Sequence, residues 1–119
     1  EKALEAGASG IVVSNHGGRV LDHCPATAEV LPEIADAVGG KMTIFVDGAI
    51  RSGMDIFKAL ALGADAVLIG RPFVTSVYGG GEEGVKLYVS KLKAELADTM
   101  RMCGAHSLAE IDRSMIYRG

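Results

Sequence analysis

Residues 43–72, TIFVDGAIRSGMDIFKALALGADAVLIGRP, contain a complete strand–helix–strand pattern. A run rich in β-branched residues opens the stretch, and a second apolar run, AVLIG, lies near its end. Both runs are too short for a helix and lack polar alternation, which is typical of strands buried on both faces of a parallel sheet. Between them lies an amphipathic segment that Ser52 can cap and Gly63 can end. The stretch therefore predicts two parallel strands joined by a helix.

The same pattern extends on both sides of this stretch. The apolar run GIVVS at residues 10–14 predicts an earlier strand, and the periodicity of residues 28–38 predicts a helix that two glycines end. A longer amphipathic period over residues 85–100 predicts a last helix, and a short amphipathic segment follows at residues 107–111. Repeated right-handed units of this kind build either an open doubly wound sheet or a closed barrel. Because eight such units take roughly 250 residues, we expect an α/β fold that forms part of a (β/α)8 TIM barrel.

Composition bounds the class of protein. With 119 residues, of which 49% are hydrophobic and 23% charged, the chain is predicted to form one globular domain over residues 1–119. Its formal net charge of −3 argues against nucleic-acid binding, and no apolar run approaches the ~20 residues of a membrane helix. Cys24 and Cys103 show no metal-ligand spacing, so we expect no metal, two free thiols and a cytoplasmic location. The chain opens without Met, inside what resembles a helix, so we expect a segment of a longer protein.

Three polar loops that contain glycine follow the predicted strands. The first loop is SNHGGR at residues 14–19, the second is DGAIRSG at residues 47–53, and the third is GRP at residues 70–72. In both architectures the carboxyl ends of parallel strands meet at one edge, where ligands bind. The sequence therefore predicts one functional site built from these three loops.

The second and third loops are suited to an anion. Their glycines let backbone N–H groups approach a ligand closely, Arg51 and Arg71 can neutralise it, and the helix after Ser52 adds its positive N-terminal end. Barrels commonly bind phosphate at the loops after their last two strands. The alternative is that the glycines only turn the chain and both arginines pair with carboxylates at the rim. The residues alone do not decide between these two interpretations. They also do not decide whether Asp47 binds a sugar hydroxyl or accepts hydrogen bonds from N–H groups of its own loop.

The first loop carries a titratable side chain. His16 can act as a general base, because imidazole titrates near neutral pH, and Arg19 can hold a substrate carboxylate through two parallel hydrogen bonds. A single histidine is nevertheless more often structural than catalytic. For His23 and His106, which follow no predicted strand, we keep the structural interpretation.

Three segments of the chain resemble one known family. They are SNHGGRVLDHCPAT at residues 14–27, FVDGAIRSGMDIFKALALGADAVLIGRP at residues 45–72 and MRMCGAHSLAEIDRSMI at residues 100–116. Together they closely resemble the C-terminal part of the FMN-dependent α-hydroxy-acid oxidases and dehydrogenases, which include glycolate oxidase, lactate oxidase and the flavin domain of flavocytochrome b2. The resemblance implies strands six to eight of a (β/α)8 barrel, FMN as cofactor, and oxidation of a small 2-hydroxy acid to the 2-oxo acid.

The resemblance also implies roles for individual residues. His16 would take a proton from the substrate and Arg19 would bind its carboxylate, so these two would be the catalytic residues. Ala49 departs from the family, which often has a glycine or Ser-Gly in this loop, and we expect it to be tolerated if its φ is negative. Because the family's strand-five lysine and early-loop tyrosines are missing from this sequence, the isolated chain is expected to be inactive. The flavin would be bound by Ser14, His16, Asp47, Gly48, Ala49, Arg51, Gly70 and Arg71.

Two other functions fit parts of the sequence. Another FMN- or phosphate-binding barrel, such as type 2 isopentenyl-diphosphate isomerase, would explain the second and third loops but not a histidine three residues before an arginine in the first. An inert half-barrel fragment that self-associates would explain the short chain. Because strands of this kind need cover on both faces, we expect a homo-oligomer.

Overall fold

Three parallel strands form the centre of the structure, a computed structural model that describes residues 1–117. In the register of the sheet, Val13 aligns with Val46, and Val46 aligns with Val67. All three predicted strands are present and parallel. The last is shorter than the predicted 66–70, because the chain turns toward the next helix after one more ladder bond, from the Leu68 N–H to the Val46 carbonyl at 2.9 Å. The strands lie side by side in the order β1 (Gly10–Val13), β2 (Thr43–Val46) and β3 (Ala66–Val67).

Four α-helices accompany the strands. The two central helices, α2 and α3, confirm the predictions for these parts of the sequence, and α3 begins with the predicted cap. The Ser52 hydroxyl accepts a hydrogen bond from the Asp55 N–H, and the Asp55 carboxylate accepts one from the Ser52 N–H, each at 3.1 Å. The helices are α1 (Lys2–Glu5), α2 (Thr27–Val38), α3 (Gly53–Ala61) and α4 (Arg71–Cys103), with 3₁₀ turns at His16–Gly18, Leu108–Glu110 and Arg113–Met115.

Helix α4 differs from the predicted last helix. It begins at Arg71 rather than near Glu82, and Gly81 divides it into two segments, because its φ of 53° and ψ of −135° are far from helical values. Pro72 suits the first turn of a helix, where its missing N–H is not needed. The prediction missed the segment over residues 71–80, since glycines lower helix propensity and interrupt the apolar period at its end.

Within residues 1–117 the helices cover only one face of the sheet. On the opposite face Val12 is 51% exposed and aligns with Phe45 of β2. The prediction that the strands are buried on both faces is therefore wrong for the described residues, because no element of this part of the chain packs over Val12. The covered face, with the residues of α2 that pack on it, contains Val13, Ile44, Val46, Leu31 and Val38.

The C-terminal segment packs beneath α3. Ala105 and Ile111 are buried in a second apolar cluster with residues of α3. The Arg113 guanidinium donates to the carbonyl oxygen of Pro32 at 2.8 Å and to the Asp36 carboxylate at 3.0 Å. Arg113 thereby ties the end of the chain to α2, so that the tail links both central helices.

The two cysteines and the helices bear on the expectations from composition. Cys24 and Cys103 are free thiols, as predicted, and both are exposed, whereas free cysteine is more commonly a small buried residue.

In the described part of the chain, we find no helix with the length and apolarity that crossing a membrane requires.

Helices α3 and α4 come very close together at Gly53. A Cβ at this position would lie 2.2 Å from the backbone nitrogen of Leu96 and 2.6 Å from the carbonyl oxygen of Leu92. The Gly53 N–H also donates to the Glu95 carboxylate at 2.8 Å, and Lys91 donates to the same carboxylate. Space, rather than an unusual backbone angle, therefore requires a glycine here.

We expect Gly53→Ala to lower the free energy of unfolding by about 1–3 kcal/mol, because the two helices must separate to admit a methyl group. Urea denaturation followed by circular dichroism measures this change. Gly79→Ala is the matched control, since nothing lies within 4 Å of a Cβ at Gly79. In the control, alanine should be neutral or should stabilise by up to about 1 kcal/mol. Equal destabilisation by both substitutions would contradict the close packing at Gly53.

The pKa of Glu95 lies below its ordinary value, because the carboxylate accepts hydrogen bonds from Lys91 and from the Gly53 N–H. A carboxylate whose pKa is lowered by folding stabilises the protein fully above its unfolded pKa of about 4.3, and this contribution is lost as the pH falls through the folded value. Glu95→Gln should therefore lose less stability on acidification below about pH 4.3 than the unsubstituted protein. Denaturation at stepped pH measures the difference, with the exposed Glu33→Gln as control. Parallel pH curves for Glu95→Gln and the unsubstituted protein would refute the role of this carboxylate.

Candidate active site at the carboxyl ends of the strands

The three loops meet around one cleft of about 650 Å³ at the carboxyl edge of the sheet. The prediction that they build a common site agrees with this arrangement, and seven of the eight residues assigned to the flavin line the cleft. Ser14 is the exception: it is not a lining residue, and its hydroxyl donates to the carboxylate of Asp47, which is one. The lining residues of the loops are His16, Gly17, Arg19, Asp47, Gly48, Ala49, Ile50, Arg51, Leu68, Ile69, Gly70, Arg71 and Pro72, and α4 adds Thr75, Ser76 and Tyr88.

The first loop places His16 in the cleft through a tight left-handed turn. His16 has a φ of 54°, and the two glycines that follow it have φ values of 63° and 73°. The turn is held by the Ser14 hydroxyl, which accepts from the His16 N–H at 3.1 Å, and by the Asn15 side chain, which accepts from the Gly17 N–H at 2.9 Å. A residue other than glycine is uncommon at positive φ, and such strain is concentrated at functional sites.

Asp47 lies at the end of β2 and is held from two sides. The Ser14 hydroxyl donates to its Oδ2 at 2.7 Å, and the hydroxyl of Thr27, which is buried, donates to its backbone carbonyl at 2.6 Å. Its Oδ1 is buried and has no hydrogen-bond partner within the described residues. A buried acceptor without a partner is costly, so this atom is suited to a ligand that donates a hydrogen bond. The contact from Thr27 was not predicted, because twenty residues separate the two positions and no local pattern signals it.

The second loop turns through two residues with positive φ. Gly48 has a φ of 99°, and a Cβ there would lie 2.7 Å from the Thr27 hydroxyl oxygen. Both the backbone angle and the lack of space therefore require glycine at this position. Ala49 has a φ of 58°, so the condition under which alanine was expected to be tolerated, a negative φ, is not met. The left-handed turn continues past Gly48, which places the alanine where its Cβ is disfavoured by about 1–2 kcal/mol. Ala49 is therefore strained, and its departure from glycine is not a minor one.

Three arginines line the cleft without a carboxylate partner. Within residues 1–117 no ion pair involves Arg19, Arg51 or Arg71, and Asp47 is the one carboxylate among the lining residues. The alternative that the arginines pair with carboxylates at the rim is thus not seen in the described part of the chain. Gly17 leaves room for the third loop, since a Cβ there would lie 2.9 Å from Nη2 of Arg71. The cleft is cationic and is suited to oxyanions.

Tyr88 of α4 completes one wall of the cleft, although sequence reasoning assigned it to the apolar face of a helix. Its hydroxyl donates to the carbonyl oxygen of Arg51 at 2.8 Å. Burial raises the pKa of the Tyr88 phenol above its ordinary value. The sequence indicates this role only in that Tyr88 has a hydroxyl group, whereas the other residues on the apolar face of the predicted helix are aliphatic.

His23 and His106 lie outside the cleft. His23 is exposed in the loop before α2, and the His106 N–H donates to the Glu110 carboxylate at 2.7 Å. Among the residues that the structure describes, no group of three or more His, Cys, Asp or Glu side chains is placed to hold a metal ion. The ionisable side chains that line the cleft are one imidazole, one carboxylate, three guanidinium groups and the phenol of Tyr88.

A parallel α/β sheet that presents a base and a cationic cleft at its carboxyl edge is typical of enzymes that bind phosphorylated cofactors. The FMN-dependent dehydrogenase family matches residues 1–118 of the chain. The chain belongs to this family, as the three sequence motifs indicated.

Individual relatives agree with the family assignment. The chain is 50% identical over 115 residues to a peroxisomal (S)-2-hydroxyacid oxidase of Arabidopsis thaliana, which covers 97% of this chain and 32% of that protein. It is 50% identical over 114 residues to glycolate oxidase of Spinacia oleracea, covering 96% and 31%. A solved structure of mandelate oxidase with (S)-2-phenylpropionate superposes with a TM-score of 0.91 at 47% identity, covering 94% of this chain and 34% of that one. The chain thus spans about a third of the length of these relatives.

We expect Ala49→Gly to raise the free energy of unfolding by up to about 1 kcal/mol. Glycine removes the steric cost of a positive φ, and the greater backbone entropy that glycine loses on folding cancels only part of this gain. Gly48→Ala is the opposite control and should destabilise, since its Cβ would meet the Thr27 hydroxyl at 2.7 Å. Thermal and urea denaturation of both variants measure the two effects. A loss of stability in Ala49→Gly, as in an ordinary helix or strand, would show that the left-handed turn is absent.

Proposed function

We propose that the protein to which this chain belongs is an FMN-dependent oxidase or dehydrogenase of small 2-hydroxy acids. The observation that carries the proposal is the cleft itself, where one imidazole converges with three guanidiniums that have no ion-pair partner within residues 1–117. Two of the guanidiniums can bind a cofactor phosphate, and the third can bind a substrate carboxylate. Relatives at about half identity are named as oxidases of 2-hydroxy acids, which supports the same reaction class.

The residues of the second and third loops fit FMN. The buried, unpartnered Oδ1 of Asp47 can accept a hydrogen bond from a hydroxyl of the ribityl chain. Gly48, Ala49 and Gly70 expose backbone to the cleft, and Arg51 and Arg71 can neutralise the phosphate. Ser14 supports this role indirectly, since its hydroxyl orients Asp47. When bound, FMN supplies the two-electron acceptor that no side chain of this chain provides.

The first loop would bind and deprotonate the substrate. A 2-hydroxy acid presents a carboxylate, which the Arg19 guanidinium can hold through two parallel hydrogen bonds. His16 would take one proton, from the hydroxyl or from the α-carbon. The two electrons and the other proton would be accepted by bound FMN, which leaves the 2-oxo acid. The left-handed turn at residues 16–18 fixes the base relative to the arginine, which favours reaction from a defined geometry.

We extend the proposal to the architecture of the complete protein. The chain would form strands six to eight of a (β/α)8 barrel, and the apolar face around Val12 and Phe45 would then face the packed interior of that barrel. Partial coverage of the relatives, about a third of their length, supports this assignment. By itself the chain would be inactive, and a homo-oligomer would give the exposed strands cover. Relatives named as peroxisomal make the peroxisome the alternative to the predicted cytoplasmic location.

Substitution of His16 in the complete barrel tests the proposal. His16→Gln should slow reduction of the flavin by lactate or glycolate by about 10²–10⁴-fold, because the base is lost, while FMN remains bound. Arg19→Met should instead raise the substrate Kd by about 10- to 100-fold, since a charged hydrogen-bonded pair is removed. Stopped-flow reduction measured over a range of substrate concentrations separates the two effects.

His106→Gln is the matched control, because His106 lies outside the cleft. Unchanged flavin reduction in His16→Gln would rule out the base. Equal weakening of substrate and FMN by Arg19→Met would assign that arginine to the cofactor phosphate, which would favour a phosphate-binding barrel of other chemistry.

A further inference from the structure

The side chain of Tyr88 contacts the second of the loops that we assign to the phosphate, and it also contacts Phe73, the residue that directly follows the third. It lines the cleft from α4, outside the three loops that carry the other assigned residues. We propose that Tyr88 is a positioning residue, which fixes the second loop by a hydrogen bond and the third loop by ring packing, so that Arg51 and Arg71 face the same phosphate. The inference rests on the proposed function and goes beyond it, since it concerns how the two loops are held together.

The contact with the second loop is a backbone hydrogen bond. The Tyr88 hydroxyl donates to the Arg51 carbonyl at 2.8 Å. On the other side of the same residue, the Arg51 N–H donates to the Asp55 carboxylate at 3.1 Å. Both polar backbone groups of Arg51 are therefore held by protein, and its guanidinium has no ion-pair partner within residues 1–117. This arrangement fixes the peptide and leaves the cation for a ligand.

The contact next to the third loop is an edge-to-face pair of aromatic rings, formed with the residue that follows this loop. The ring centroids of Phe73 and Tyr88 lie 5.0 Å apart at an interplanar angle of 67°. Phe73 follows Arg71 by two residues, and its N–H donates to the Gly70 carbonyl at 2.9 Å. Packing on Phe73 therefore steadies the first turn of α4, from which the Arg71 side chain extends.

The break in α4 at Gly81 makes this double contact possible. Phe73 and Tyr88 are fifteen residues apart, which is about 22 Å along a straight helix. Their rings touch because the helix folds back at Gly81, where a Cβ on Gly84 would lie 2.2 Å from the Ser76 carbonyl oxygen. Because α4 folds back at Gly81, Tyr88 lies at the same cleft as Arg71, the first residue of the helix.

Flavin binding to the complete barrel tests the role of Tyr88. FMN and riboflavin differ only in the phosphate, so their Kd values, measured by fluorescence titration of the flavin-free protein, isolate the phosphate contribution. Tyr88→Phe removes one hydroxyl and should raise the Kd for FMN about five- to tenfold, while the Kd for riboflavin changes by less than about twofold. Phe73→Leu keeps the hydroxyl and should raise the Kd for FMN about two- to tenfold through the lost ring pair.

Tyr78→Phe is the matched control, because Tyr78 is 89% exposed and lies outside the cleft. Its Kd values for both flavins should not change. An unchanged Kd for FMN in Tyr88→Phe, or an equal rise for FMN and riboflavin, would overturn the positioning role. An unchanged Kd in Phe73→Leu would overturn its extension to the third loop. If the unsubstituted protein binds FMN no more tightly than riboflavin, the phosphate site of the proposed function is wrong, which is a distinct outcome.

Discussion

The site depends on how Asp47 is fixed at the end of the central strand. Its N–H donates to the Val13 carbonyl at 3.2 Å, its own carbonyl accepts from Thr27, and its Oδ2 accepts from Ser14. These bonds join the end of β1, the start of α2 and the end of β2 at one residue. They also satisfy every polar atom of Asp47 except Oδ1, which is left buried. The same interactions that hold the sheet edge together therefore leave one acceptor for a ligand.

Backbone strain follows from this arrangement. Both loops next to Asp47 turn through left-handed residues, at His16 in the first and Ala49 in the second. A left-handed conformation costs about 1–2 kcal/mol at a residue other than glycine. The cost at His16 is offset by the Ser14 hydroxyl that accepts from its N–H, whereas Ala49 has no equivalent bond within the described residues. Strain at His16 lies at the position to which the proposed function assigns the base. Strain at Ala49 lies in the proposed phosphate loop, and a glycine there would remove it.

Local patterns predicted most of the fold and the convergence of the three loops on one cleft. Strand runs, helix periods and the cap at Ser52 depend on residues close in sequence, and parallel pairing then brings the three loops together. What was missed depends on contacts between distant residues: the Thr27 bond, the Tyr88 bond and the fold of α4 at Gly81. The φ of Ala49 was missed for a related reason, since a side chain alone does not reveal a turn that its neighbours impose.

The charge of the cleft connects binding with stability. Arg19, Arg51 and Arg71 face one space, where Asp47 is the one carboxylate among the lining residues. None of the three has an ion-pair partner in the described part of the chain, so mutual repulsion of the guanidiniums opposes their convergence. The fold holds them there through backbone contacts, such as the Tyr88 bond to the Arg51 carbonyl, rather than through ion pairs. An anion that neutralises them binds the folded state and not the unfolded chain, so its binding free energy adds to the stability of the fold. Pairing the arginines with carboxylates of the protein would remove the repulsion, but it would also remove the site.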